Sequence, residues 1–236
     1  MTRFCFQAIG RIHSCFTEKF GIPRQPRLVP EAEAIVEIAA PFHQKEAFRG
    51  LDRFSHIWII FVFHKCYEQQ WKATVRPPRL GGNQRVGVFA SRSGFRPNAI
   101  GQSAVELIEV SPQKNSLSLK VTGADLLDGT PVLDIKPYLG YADSIPQAIS
   151  GYAATSPAPH FSVRFSIIAE QACTMLDPVR YHNAKQLIIA ILSQDPRPAY
   201  KKDDASHIYG MRLWDLNIRF RYDDEVIEVV DIILID

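Results

Sequence analysis

Between residues 69 and 105 the chain carries no Asp or Glu but six cations: Lys72, Arg76, Arg79, Arg85, Arg92 and Arg96. Gly81, Gly82, Gly87, Gly94 and Gly101 are interleaved with them. Glycine lets a backbone turn sharply or approach a ligand closely, and a guanidinium fork grips phosphate or carboxylate through two parallel hydrogen bonds. A run of cations is usually a solvated face, yet arginines set among glycines at this density favour a surface for an anionic ligand. Near the C-terminus, Asp195, Pro196, Arg197, Pro198, Tyr200 and Lys201 form a proline-stiffened loop in which an aromatic ring could stack on a base while cations take phosphates. Arg219 and Arg221, on one face of a predicted strand, extend that second basic surface. Solvated charge on a helix-ending loop explains the same residues equally well. Three carboxylates, Asp125, Asp128 and Asp134, cluster around a glycine-rich turn. They could accept from a cationic or hydroxyl-bearing ligand, or merely shape the turn. His56 and His64 flank the apolar run 57–63, and His64, where that strand should emerge from the core, is the better candidate for chemistry.

Several familiar machines are missing. Gly81 and Gly82 lack the spacing and the strand-to-helix setting of a dinucleotide-binding turn, and no phosphate-binding loop, nucleophile elbow or zinc-binding His pair is present. Cys5, Cys15, Cys66 and Cys173 stand far apart, which argues against a metal site and suits reduced thiols in a cytoplasmic compartment. The longest apolar run, 57–63, falls well short of the roughly 20 residues a membrane helix needs. Gln7, Gly10 and Arg11 break any secretory apolar region.

The elements that must position these residues read as two units. The chain has 236 residues, 46% of them hydrophobic, with 27 Lys+Arg against 25 Asp+Glu, the balance of an ordinary globular protein. Strands are predicted at 4–12, 34–38, 54–63, 86–90, 104–110, 116–121 and 131–135, with a short helix at 41–48 and a proline-studded loop around Pro23, Pro26 and Pro30. The run 54–63 is too apolar to alternate, so it should be buried on both faces or cross a barrel core. Strands at this spacing without intervening helices predict an antiparallel barrel or sandwich. Residues 147–159, rich in Ala, Ser, Gly and Pro, resemble a linker, which divides the chain into 1–150 and 151–236. The second part is predicted as a small α+β unit: a strand at 160–169, a helix at 178–193, and a hairpin of 216–222 and 226–234 around Asp223 and Asp224.

The ordered segments 75–83, 87–93 and 96–101, with Pro23-Arg24-Gln25-Pro26, Phe54-Ser55-His56, Asp128-Gly129-Thr130-Pro131 and Gln194-Asp195-Pro196-Arg197-Pro198-Ala199-Tyr200, resemble the TsaA-like family, most nearly its TrmO-type tRNA methyltransferases. Ala99 and Gly94 depart from residues common there. The resemblance implies a mainly β protein: an S-adenosylmethionine-binding antiparallel β-barrel outside any Rossmann fold, then a small α+β domain contacting tRNA. It further implies a homodimer, while the cysteine spacing and the short apolar runs point to neither metal nor membrane as a partner. The implied reaction is methylation of the exocyclic nitrogen of threonylcarbamoyladenosine beside the anticodon of threonine tRNA. Matched by motif, cofactor contacts fall at Gln25, Pro26, Arg27, His64, Lys65, Arg92, Gln102, Asp125, Leu126, Leu127 and Asp128. Arg92, Arg96, Asn98 and Asp128 are the candidates for catalysis, and Arg76, Arg79, Asp195, Arg197, Tyr200, Lys201, Arg219 and Arg221 those for tRNA contact. Two other readings stay open: a non-catalytic RNA-binding barrel, and a methyltransferase of this fold acting on another anionic substrate.

Overall fold

The structure is a computed structural model in which residues 2, 4–197 and 207–235 are described. Six strands close into an antiparallel barrel in the order β1 (Gly10–Ser14), β2 (Ala34–Ile38), β7 (Leu117–Thr122), β6 (Ile100–Pro112), β3 (His56–Val62) and β8 (Pro131–Pro137), which pairs back with β1. Closure leaves no free sheet edge. A two-residue ribbon, β4 (Thr74–Val75) with β5 (Val86–Gly87), stands outside the barrel. After β8 come a single turn α1 (Gly140–Asp143) and an exposed stretch to residue 160.

Alternation decides which residues fill the barrel. Ile57, Ile59 and Phe61 of β3 point inward with Val36, Ile38, Leu117, Leu119 and Val132, while Trp58, Ile60 and Val62 are only half-buried. The apolar run is therefore an alternating strand with a partly covered outer face, not one buried on both sides; Trp58 packs there against Tyr138, ring centroids 5.7 Å apart.

The second unit is a sheet in the order β10 (Tyr209–Leu213), β11 (Leu216–Asp223), β12 (Val226–Leu234) and β9 (Ser162–Phe165), the last pair parallel, covered by α2 (Ile167–Met175) and α3 (Ala184–Ser193). The strand predicted at 160–169 stops at Phe165 because Ser166 caps a helix, its hydroxyl accepting from the Ala169 amide. The helix predicted from Pro178 begins at Ala184, after Asn183 in a left-handed conformation. Apolar spacing located its inward face, Leu187, Ile188, Ile191 and Leu192, but not its first turn. The strand predicted at 4–12 starts only at Gly10, and the one at 86–90 becomes β5 plus a turn of 3-10 helix, so β propensity overstated both.

The two units share a core. Cys15, Phe16, Val29 and Ala32, early in the chain, pack into the second unit's interior with Leu187, Met211 and Phe220, and the Trp214 amide donates to the Cys15 carbonyl at 2.6 Å. Phe20 stacks on Phe220 with centroids 6.4 Å apart. The loop between β1 and β2 is thus braced by the C-terminal unit, and it carries Lys19, Arg24 and Gln25 into the region described next.

Candidate functional site

One end of the barrel opens into a cavity of about 560 Å³, walled by residues of the β1–β2 loop, the end of β3, the loop 91–96, the start of β6 and the turn after β7. The register of β3 on β8 shifts between Ile60 and Phe61, a bulge that re-aims the side chains at this end. Two glycines make room for the aromatic floor. A Cβ at Gly101 would lie 2.4 Å from the Phe61 ring, and one at Gly94 would lie 2.8 Å from Phe63. Those rings meet edge to face, centroids 5.0 Å apart.

Asp125 is the one carboxylate among the described residues lining the cavity, against Lys19, Arg24, Lys65, Arg92 and Arg96. Burial pushes its carboxyl up to about 6, although the Ser103 hydroxyl donates to it at 2.6 Å and the Arg92 charge also favours its ionised form. Arg92 Nη1 donates to Gln25 Oε1 at 2.6 Å, joining the loop 91–96 to the β1–β2 loop. Arg96 turns back on its own loop, donating to the carbonyls of Ser91 at 3.0 Å and Ser93 at 3.3 Å. Partial burial and the charges of Lys65 and Lys19 lower the His64 pKa, against the pull of Asp128, so the imidazole is neutral at neutral pH. Its Nδ1 stands 3.5 Å from Thr130 Oγ1. Among the described residues no group of His, Cys, Asp and Glu is placed to hold a metal ion.

Of the residues matched by motif as cofactor contacts or catalytic candidates, Gln25, Pro26, His64, Lys65, Arg92, Arg96, Gln102, Asp125, Leu126 and Leu127 line this cavity. Three others do not. Arg27 has φ 66° and uses its backbone amide on the Gly123 carbonyl at 2.8 Å, so it serves the loop's geometry. Asp128 faces β1, accepting from the Ser14 amide at 3.0 Å. Asn98 is exposed, and its carbonyl accepts from the Ile100 amide at 2.7 Å. Conversely, Lys19, Arg24, Phe95, Ser103 and Thr130 join the site without having been among its candidates, Arg24 and Thr130 having been quoted only within the family's motifs. Ser103 in particular is a buried serine in the middle of a strand, and its type carries no signal until the register sets it beside Asp125.

The basic surfaces divide in the same way. Among the described residues, none of the six cations from Lys72 to Arg96 is ion-paired. Arg79 reaches across to hydrogen-bond Thr155, and Arg76 is exposed. In the second unit, Arg197 is only 8% exposed, paired with Asp195 through Nε at 2.9 Å and lying 3.4 Å from the Tyr222 ring centroid. Expected on the surface, it is turned inward, where the aromatic floor of Phe161 and Tyr222 and the Asp195 carboxylate receive its guanidinium. Arg221 is held by Glu228 at 2.5 Å; Arg219 is half-buried on the same sheet. Tyr200 and Lys201 lie outside the described residues.

Comparison with known proteins places this geometry in context. The model of the tRNA-methyltransferase O N-terminal domain matches residues 11–144, and that of the TrmO C-terminal domain matches residues 158–235. The chain is 50% identical over 230 residues to the tRNA (adenine(37)-N6)-methyltransferase of Escherichia coli (strain K12), covering 97% of each chain. It is 46% identical to a putative S-adenosylmethionine-dependent methyltransferase, RcsF, of Pseudomonas aeruginosa, covering 95% of each. A crystal structure of TrmO from Pseudomonas aeruginosa superposes with a TM-score of 0.82 at 39% identity, covering 98% of this chain and 100% of that one.

Proposed function

The chain belongs to the tRNA-methyltransferase O family, and from that premise we propose that it transfers a methyl group from S-adenosylmethionine to the N6 nitrogen of adenine 37 in tRNA, as its relatives' names describe. More narrowly, the target is threonylcarbamoyladenosine in threonine tRNA. The observation carrying this reading is the one carboxylate of the cavity lining, Asp125, half-buried and sharing that lining with five cations beside the acid-free arginine block.

The donor set fits S-adenosylmethionine. Phe61, Phe63 and Leu126 offer apolar wall for its adenine, Gln25 and Gln102 offer amides, Lys65 and Arg92 suit its carboxylate, and Asp125 suits its positive charge. Leu127, Pro26 and neutral His64 complete the wall, whereas Arg27 and Asp128 act from behind it, holding the loop and the turn. When bound, S-adenosylmethionine supplies an activated methyl on a sulfonium. The protein's share is alignment and exclusion of water, because in-line displacement at a methyl needs little covalent help. The Arg92–Gln25 bond fixes two loops so that the accepting nitrogen can be held on one line with the methyl. That nitrogen must lose a proton, and among the cavity's groups the Asp125 carboxylate and the neutral His64 imidazole can take one near neutral pH. The carbonyl substituent on the target nitrogen falls to Arg92 or Arg96, each of which commits Nη1 to neutral oxygens.

Phosphate contacts are assigned to Arg76 and Arg79 on the unpaired block, with Arg219, Tyr200 and Lys201 assigned to the tRNA from the second unit. We assign the division 1–150 and 151–236 to cofactor binding and tRNA contact respectively. A homodimer is supported by the exposed apolar side chains of Tyr141, Ile145 and Ile149 in the connecting stretch. A cytoplasmic location is supported by four free cysteines.

The test is transfer of labelled methyl from S-adenosylmethionine to tRNA from cells lacking this gene, followed by mass analysis of the anticodon-loop nucleosides. Label on N6 of the nucleoside at position 37 is the expected result. Saturable donor binding with no label on any tRNA would refute the substrate.

A further inference from the structure

Phe95 lines two concavities. One is the main cavity, with Arg92 and Arg96; the other is a shallower groove lined also by Lys72, Thr74, Arg76, Arg85 and Ser93. No acidic residue lines this groove among the described residues, and its three cations have no ion pair. Two of them are already held in place. The Lys72 amide donates to the Phe95 carbonyl at 3.0 Å while its ammonium sits 4.2 Å from the Phe95 ring centroid. Arg85 Nη1 donates to Thr74 Oγ1 at 3.3 Å across the β4–β5 ribbon. Side chains restrained before the ligand arrives lose less entropy on binding it.

Such a groove concentrates positive charge without neutralising it, beside the wall of a cavity sized for a small ligand. A ligand small enough to sit wholly in the main cavity has no use for three further cations outside it. A nucleoside drawn out of an RNA strand into the main cavity does, because it remains tied to the strand by a phosphodiester on either side, and those charges must lie at the rim. We propose that the groove of Lys72, Arg76 and Arg85 holds a backbone phosphate of the RNA strand flanking the nucleoside seated in the main cavity, with Phe95 as the wall between them. This rests on tRNA being the substrate. The two guanidinium groups offer forked donors to the phosphate oxygens and Lys72 a compact charge.

The test is a double variant, Lys72→Gln with Arg85→Gln, which removes both charges and keeps much of each aliphatic stem. Filter binding of tRNA across a salt series reads the groove, and calorimetric titration of S-adenosylmethionine without tRNA checks that the main cavity is intact. Loss of two of the three charges that hold this one phosphate of a single-stranded loop should weaken tRNA binding roughly tenfold and lower the log–log salt slope by about 0.7. Donor affinity should stay at the wild-type value, and Arg85→Lys alone should keep most of the tRNA affinity. Unchanged tRNA affinity and slope in the double variant overturn the proposal. So does a loss seen with threonylcarbamoylated tRNA but absent with tRNA lacking that group, which would assign the groove to the substrate's own carboxylate. Failure of the wild-type protein to bind tRNA at all would instead overturn the functional reading on which the groove depends.

Discussion

Arginine does opposite work in the two halves of this molecule. At the barrel mouth, Arg76, Arg79, Arg85, Arg92 and Arg96 have no acidic partner among the described residues and satisfy their donors, where they do so, on neutral oxygens such as Gln25, Thr74, Ser91 and Thr155. In the C-terminal unit, Arg164 pairs with Asp223 at 2.8 Å, Arg221 with Glu228, Arg180 with Asp215 and Arg197 with Asp195. Hydrogen bonds to neutral acceptors orient a guanidinium without cancelling its charge, whereas ion pairs consume it. The first region therefore keeps a field that can attract and orient an anionic substrate, and the second uses the same residue type to hold loops and strands together.

This contrast can be broken by substitution. The largest effect belongs to Arg92→Ala, which removes both the charge and the bond to Gln25. It should lower kcat/KM for methyl transfer by about 100-fold, in line with loss of one well-placed charged donor, measured with labelled S-adenosylmethionine and saturating tRNA. An Arg92→Ala enzyme of wild-type activity would remove the site from this end of the barrel. Next is Arg197→Ala, in the region where charge is consumed. Leaving the Asp195 carboxylate with the Tyr222 hydroxyl but without its cation should cost about 2–4 kcal/mol of unfolding free energy at neutral pH. Burial works to raise the Asp195 carboxyl, but hydrogen bonds from Arg197 and Tyr222 outweigh it and hold the folded value below the unfolded one. The stabilisation is thus present above the unfolded value, near 4, and fades as pH falls through the folded one, so acid melts of wild type and variant should converge.

Asp125 has the opposite sign. With its folded value raised by burial to about 6, its ionisation weakens the fold as pH rises through that value. Asp125→Asn should therefore melt higher than wild type at pH 8, by up to about 2 kcal/mol, with the difference disappearing toward pH 4 while methyl transfer falls steeply. Thermal melts at several pH values test this, and an Asp125→Asn protein less stable than wild type at pH 8 would show that the carboxylate is structural. The smallest effect is expected for Arg221→Ala. Its side chain is 49% exposed, so loss of the Glu228 pair should cost less than about 1 kcal/mol. Its tRNA affinity should stay within about twofold, since its charge is already matched; a large loss would place that sheet face against RNA.

Much of the site was legible in residue types. Arg92, Arg96 and Gly101 of the arginine–glycine block, Asp125 of the Asp-bearing turn and His64 reach one cavity, because short strands and glycine turns leave few ways to arrange them around a barrel mouth, while Lys72, Arg76 and Arg85 line a separate groove. What escaped was orientation. Asp128 is three residues after Asp125, yet it bonds the Ser14 amide outside the cavity lining while Asp125 bonds Ser103 within it. Arg197 carries the same charge as Arg92, but an aromatic floor and a carboxylate two residues away draw it inward.

By itself the amino-acid sequence determined the class of the fold, the acid-free run of cations and the motifs that tie it to its relatives. All of these depend on residue type and local spacing, which the chain carries before it folds. Only the tertiary structure decided which arginines keep their charge for a ligand, that Ser103 meets Asp125, and that the loop holding Gln25 is braced by the C-terminal core. Those outcomes depend on partners distant in sequence, and a side chain's burial and charge state are set by whichever groups the closed barrel brings beside it.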